Sequence, residues 1–198
     1  KKGIVYLIGA GPGDPGLFTI KGQEYLAKAD VIVYDYLVNP EILKYAKEEA
    51  EIIYAGKQTG AKEMPQEEIN QLLVERAKEG RIVARLKGGD PFIFGRGGEE
   101  AEVLYEHGIP FEVVPGVTSA SAVPAYAGIP LTHRDFTSSF AVVTGHEDPS
   151  KEESNLPWEA LAKIGTVVFL MGVGKKKESM KKLNESGKTP KTPAAIIS

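Results

Sequence analysis

The apolar run Ile4-Val5-Tyr6-Leu7-Ile8 passes without a polar break into Gly9-Ala10-Gly11-Pro12-Gly13-Asp14-Pro15-Gly16. A half-solvated strand would alternate polar and apolar residues, so a continuous β-rich run predicts a strand buried on both faces. Such a strand, closed at once by Gly and Pro, needs helices on either side of its sheet, which constrains the chain to an α/β architecture. The pattern recurs. Thr19 to Ala29 reads as a helix capped by Thr19, with Ile20, Tyr25, Leu26 and Ala29 near one face. Val31 to Tyr34 is a second buried strand ending at Asp35, Pro40 to Ala50 predicts a helix, and Ile52 to Ala55 a third strand. Gln66 to Lys78 predicts a helix with Ile69, Leu72, Leu73 and Ala77 inward; Arg81 to Leu86 a fourth strand; Glu99 to His107 a helix closed by Gly108; and Phe111 to Val114 a fifth strand. This repeated βα order predicts a mostly parallel, doubly wound sheet, in which ligands sit at the carboxyl ends of the strands.

After Pro115-Gly116 the texture changes. Thr118 to Ala127 is a small-residue helix interrupted by Pro124, and Leu131 to Ser139 a polar loop. Phe140 to Thr144, Thr166 to Met171 and Ala194 to Ile197 read as strands, with helices at Trp158 to Lys163 and Lys175 to Ser186 and a solvated loop at Glu147 to Asn155. Two lobes are expected, residues 1-114 and residues 115-198, the second a smaller α/β lobe with a mixed sheet.

Composition narrows the function. With no cysteine, a disulfide, a thiolate nucleophile, an iron–sulfur cluster and a thiolate zinc site are excluded. Lys plus Arg number 24 and Asp plus Glu 27, so 24 − 27 = −3, which argues against a nucleic-acid binder working through a global basic field. Lys1 and Lys2 precede an apolar stretch as in a signal peptide, but that stretch is too short, and no run reaches the roughly 18 apolar residues that cross a bilayer. His133 and His146 have no partners at ligand spacing, so no metal site is expected. Glycine is the anomaly, at 22 of 198 residues, about 11% against a usual 7% or so.

The glycines cluster in three loops. The first contains Gly11-x-Gly13-x-x-Gly16 after a strand and before a helix, with Asp35 at the end of the next strand, in formal agreement with a dinucleotide-binding turn. Its chemistry disagrees: Pro12 and Pro15 have no N–H for a pyrophosphate, and Asp14 adds a negative charge. A tight turn without a ligand is the plain alternative, and an NAD-dependent oxidoreductase the rival function. The second, Arg85-Leu86-Lys87-Gly88-Gly89-Asp90-Pro91-Phe92-Ile93-Phe94-Gly95-Arg96-Gly97-Gly98-Glu99-Glu100, lets backbone approach a flat ligand, offers Asp90 as an acceptor and is flanked by cations. The third, Val114-Pro115-Gly116-Val117-Thr118-Ser119, opens a helix whose first hydroxyls cap it or hold a ligand carboxylate. Asp35 and Lys57 both follow predicted strands on the edge where sites form.

Together these segments resemble the tetrapyrrole methylases. The matching motifs are Val5 to Gly16, Ala29 to Val38, Pro65 to Asn70, Arg85 to Glu100, Val114 to Ser119, Gly128 to Asp135 and Val143 to His146, covering essentially the whole chain. The resemblance implies a cytoplasmic homodimer of two-lobed chains that bind S-adenosylmethionine in a ligand cleft between the lobes, methylate uroporphyrinogen III twice to give precorrin-2, and serve sirohaem or cobalamin synthesis. A methylase of a later corrin intermediate is the alternative within the family. The implied cofactor contacts are Pro12, Gly88, Gly89, Asp90, Ile93, Thr118, Ser119 and Met171, with Asp35 as proton acceptor and Lys57 as proton donor. An octacarboxylate substrate gives Arg85, Lys87, Arg96 and Arg134 an expected use as counter-charges. Beside the family, the chain is expected to be trimmed at both ends: no Met opens it, and the second lobe stops within Ala194 to Ser198, short of further strands and a Gly-containing turn at the cofactor pocket.

Overall fold

Five β-rich runs become five strands, β1 (Ile4–Gly9), β2 (Val31–Tyr34), β3 (Glu51–Tyr54), β4 (Ile82–Lys87) and β5 (Phe111–Val114). All pair in parallel, in the order β3-β2-β4-β1-β5. The computed structural model describes residues 3–147, 150 and 153–198; Lys1, Lys2 and positions 148, 149, 151 and 152 of the expected 147–155 loop lie outside the described residues.

The period of two along each strand divides the core. Val5, Leu7, Val31, Val33 and Val83 face Ile69, Leu73, Val74 and Ala77 of α2 (Gln66–Lys78) and Leu104 of α3 (Gly97–Glu106). Ile8, Ile32, Ala84, Leu86 and Val114 face the other way, onto Leu26 of α1 (Ile20–Lys28) and onto Ile42. Each fully buried Leu or Ile contributes roughly 1.5–3 kcal/mol relative to exposure, and the two layers hold together one compact unit, Lys1–Thr118.

Strand order fixes where a site can form. From β1 the chain moves over β4 to β2, whereas from β4 it moves the opposite way, over β1 to β5. The connections leaving the neighbouring strands β1 and β4 therefore run in opposite directions, and a crevice opens outside the carboxyl ends of this pair.

The second unit, Ser119–Ser198, contains α4 (Ser119–Tyr126), β6 (Phe140–Thr144), α5 (Trp158–Lys163), β7 (Thr166–Leu170) and α6 (Lys176–Glu185). Its core joins Val143, Leu161 and Leu183, with Trp158 and Phe169 packed alongside.

Four expectations need correction. The expected Pro40–Ala50 helix is a six-residue 3-10 helix, Pro40–Tyr45, entered through Pro40 and capped by the Asn39 side chain on the Glu41 N–H. Ile20, expected inward, opens α1 at 79% exposure, because the buried face begins at Gly22 and Leu26. Ala194–Ile197 forms no strand. The second sheet is accordingly two strands, β6 and β7, and they pair in parallel instead of forming a mixed sheet.

Candidate active site

Register places Ala55, Asp35, Lys87, Gly9 and Pro115 side by side at the carboxyl edge of the first sheet, since Tyr34 pairs with Tyr54, Val33 with Arg85, Gly9 with Lys87 and Ile8 with Val114. The three glycine loops meet there. Ala10 N–H donates to Lys87 C=O at 2.7 Å, and Gly11 and Gly89 exchange both backbone hydrogen bonds, at 3.2 and 2.7 Å, across the crevice. Gly116 comes so close that a Cβ on it would stand 2.2 Å from Gly89 O and 2.7 Å from Gly9 Cα. Only bare backbone fits at this crossing, and Gly89 also lies in the left-handed region at φ 64°.

Asp90 locks the crossing. Its Oδ1 accepts from the Phe92 N–H at 2.9 Å and its Oδ2 from the Gly116 N–H at 3.0 Å, so one side chain joins the second loop to the third. Asn39 does the same for the first loop, donating to Gly13 C=O at 2.7 Å. Asp14, the acid that disfavours a diphosphate, accepts from the Gly16 N–H at 2.7 Å and opens a 3-10 turn, Pro15–Leu17. Helix α1 starts only after that turn, with Thr19 Oγ1 accepting from the Gly22 N–H at 2.9 Å. The helix N-terminus is thus displaced from the loop and capped by its own residue, unlike a dinucleotide turn, whose last glycine opens the helix.

Beside the crossing lies a buried charge cluster. Val83, Arg85 and Lys87 alternate onto the α2/α3 face, where Arg85 is 2% and Lys87 5% exposed. Their common partner is Glu100 of α3, fully buried. Its Oε1 accepts from Arg85 Nε at 3.1 Å, Lys87 Nζ at 2.9 Å and Gln66 Nε2 at 3.1 Å. Arg85 also donates to the Leu86 carbonyl at 3.2 Å, and its Nη2 lies 3.6 Å from Asp35 Oδ2. Asp35 Oδ1 accepts from the Leu37 N–H at 2.9 Å, which fixes the carboxylate against its own turn. Burial, reinforced by the Arg85 charge, pulls the Lys87 ammonium below the usual lysine range, against the opposing pull of Glu100 and Asp35.

The remaining expected residues fall as follows. Pro12, Gly88, Gly89 and Asp90 border the crossing, and Gly88 abuts Leu37, whose Cβ would lie 2.7 Å from a Cβ placed on that glycine. Ile93 is exposed between Phe92 and Phe94, and with exposed Tyr36 and Leu37 these give the β2 and β4 loops an apolar surface. Arg96 pairs with Glu99 at 2.7 Å, which holds the guanidinium above and the carboxyl below their usual ranges. Both line a depression of about 320 Å³ with Phe92 and Phe94. Phe94 and Arg96 occupy the left-handed region at φ 49° and 57°, a backbone cost of order 1–3 kcal/mol each. Lys57 is exposed beyond β3, and Thr118 closes the first unit.

In the second unit, Ser119 opens α4 and Arg134 is exposed in a loop. Met171 follows β7 at φ 57° and 61% exposure. There the backbone device recurs: a Cβ on Gly145, after β6, would stand 2.3 Å from Gly172 Cα. Among the described residues no three His, Cys, Asp or Glu side chains gather as a metal site, and no helix is long and apolar enough to cross a membrane.

Glu100 is the residue that reading the sequence missed as a site element. The signal was present: two cations two positions apart on a buried strand need a buried counter-charge, and an acid in the first turn of the following helix can supply it.

The family model for tetrapyrrole (corrin/porphyrin) methylases matches residues 4–198. Over 196 residues the chain is 58% identical to the S-adenosyl-L-methionine-dependent uroporphyrinogen III methyltransferase of Methanosarcina barkeri, covering 98% of this chain and 77% of that protein. It is 52% identical to a siroheme synthase of Saccharophagus degradans over 198 residues, all of this chain but 43% of that longer protein. The uroporphyrin-III C-methyl transferase of Thermus thermophilus, solved with S-adenyl homocysteine, superposes with a TM-score of 0.80 at 45% identity, covering 95% of this chain and 78% of that one.

Proposed function

The chain belongs to the tetrapyrrole (corrin/porphyrin) methylase family, and from that premise we propose that it is an S-adenosylmethionine-dependent C-methyltransferase converting uroporphyrinogen III to precorrin-2 by two successive methylations. The observation that carries this reading is the crossing of Gly9, Gly89 and Gly116 at the β1/β4 crevice, with the Asp35 carboxylate one strand away. Supporting it are the 58% identity to a protein named for this activity and a solved relative holding the demethylated cofactor.

The residues fit the cofactor. A Cβ on Gly9 or Gly116 would collide with backbone, so the crossing packs main chain on main chain, a platform that suits a flat nucleoside better than a diphosphate, given Pro12, Pro15 and Asp14. Pro12, Gly88, Gly89, Asp90, Ile93 and Thr118 would hold it, Asp90 by keeping the second and third loops in register. Ser119 and Met171 keep their assignment as cofactor contacts within this proposal. When bound, S-adenosylmethionine supplies a methyl group on a sulfonium, already activated toward a pyrrole carbon. The protein's task is therefore positioning, for which a hydrogen-bonded backbone platform is suited.

Each alkylated ring is left with a proton to shed. Asp35, held by the Leu37 N–H through Oδ1, presents Oδ2 to take it. Lys57, on the exit of the neighbouring strand β3, is the proposed proton donor. Arg96, exposed though paired with Glu99, and the exposed Arg134 are the proposed counter-charges to substrate carboxylates, whereas Arg85 and Lys87 are buried against Glu100. The exposed Tyr36, Leu37, Phe92 and Phe94 offer apolar surface to a macrocycle.

Incubation with S-adenosylmethionine and uroporphyrinogen III tests the reading: a dimethylated product is expected, and an unchanged substrate mass with folded protein overturns it. The proposal also takes the protein to be a cytoplasmic homodimer, for which light scattering in solution should give twice the chain mass.

A further inference from the structure

A carboxylate that must accept a proton is a poor base if a cation is clamped to it, because a close opposite charge favours the ionised form. Asp35 stands beside two buried cations, Arg85 and Lys87, yet its ion-pair contact with them is the long 3.6 Å approach of Arg85 Nη2. Their short bonds, at 2.9–3.1 Å, go to Glu100 Oε1 instead. Glu100 is itself fully buried, and its Oε2 has no hydrogen-bond partner among the described residues. As a stabilising device this is a poor arrangement, since buried ion clusters are often replaceable by apolar side chains without loss.

We propose that Glu100 is a positioning residue for Asp35: by taking the short bonds of Arg85 and Lys87, it keeps both cations from closing on the carboxylate that receives the substrate proton. The proposal rests on Asp35 being that acceptor. The groups that bear on the cluster are Asp35 from β2, Arg85 and Lys87 from β4, Gln66 from α2, and Glu99, Glu100 and the adjoining Arg96 from α3 and its start. Arg85, Lys87, Asp35 and Glu100 sum to zero charge. Glu100→Gln leaves both cations facing Asp35 as the one carboxylate of the four, an excess of one positive charge, and Glu100→Gln with Lys87→Met restores the balance.

Turnover, its pH dependence and S-adenosylhomocysteine affinity are compared for the unaltered protein, the single and the double variant. Glu100→Gln is expected to lose on the order of tenfold in kcat while its affinity stays within about twofold, and the acidic limb of its rate profile moves to lower pH. The double variant, in which one cation instead of two faces Asp35, recovers part of the lost rate. In the cofactor-free protein, nuclear magnetic resonance should show the Lys87 ammonium of Glu100→Gln titrating still lower than before. An unmoved acidic limb, an affinity loss equal to the rate loss, or a double variant slower than the single one overturns the proposal. Should the single variant not fold, the double decides by its rate, and failure of both to fold assigns the cluster to the fold alone and overturns the proposal. Asp35→Asn, run in parallel, separates the two ideas: undiminished turnover there sinks the base assignment itself, whatever Glu100 does.

Discussion

The two edges of the first sheet both carry charge, and they use it differently. At the amino edge, Asp30 accepts from Lys47 and from the Ile82 N–H, and Glu51 accepts from Arg76 and Arg81. These side chains are a quarter to a third exposed, between 25% and 36%, and each acid has its own cations. At the carboxyl edge, Arg85, Lys87 and Glu100 are buried and crowd onto one oxygen, while the loops above them meet through glycine backbone. Partly solvated pairs with satisfied geometry staple strand starts together. Buried charge with an unpartnered oxygen is a poor staple, and it sits where the topology opens a crevice.

Substitutions at the two edges should therefore part company, and the largest difference is expected for Asp35→Asn. Turnover should fall by at least about a hundredfold with S-adenosylhomocysteine affinity within about twofold; an equal loss of both in kinetics and calorimetry would make Asp35 a binding residue. Gly116→Ala drives a methyl into Gly89 O and Gly9 Cα. It should lower stability by roughly 1–3 kcal/mol in denaturant melts, as overpacking does, and weaken cofactor-analogue binding by more than about tenfold. Asp90→Asn exchanges an acceptor for a donor opposite a backbone N–H. The freed third loop should cost about 1 kcal/mol and a smaller loss of affinity, which calorimetry would register.

The amino edge should answer in the opposite currency. Glu51→Gln is expected to cost no more than about 1 kcal/mol, given its partial exposure, and to leave turnover unchanged. Hydrogen bonds from Lys47 and Arg76 hold Asp30 and Glu51 below the usual carboxylate range. A carboxylate depressed in the folded state stabilises above its unfolded value and stops doing so as pH falls through its folded value. Urea melts should thus show this contribution intact at neutral pH and shrinking below about pH 4, and in Glu51→Gln the acid loss should be shallower.

What could be read from sequence follows the range of the interactions. The strands of the first unit were legible because β1 and β2 are continuous apolar runs and β3, β4 and β5 are short β-rich stretches, and Thr19 announces its capping role within a few residues. The Pro40–Tyr45 turn and Ala194–Ile197 were misread because apolar spacing alone does not show whether a helix tightens or a strand finds a partner. The glycine loops were visible as a set, but not that Gly116 presses on Gly89, or that Asp90 spends both oxygens on backbone. Arg85 and Lys87 looked like substrate counter-charges because the sequence shows them beside a loop, whereas the partner that claims them, Glu100, lies more than ten positions away on another element.

Amide hydrogen exchange of the intact chain with and without saturating S-adenosylhomocysteine tests the division between edges most directly. New protection is expected in Gly9–Gly16, Lys87–Gly98 and Pro115–Thr118, and none at Asp30, Glu51, Arg76 or Arg81. Protection at the amino edge, or none at the three glycine loops, would overturn that division.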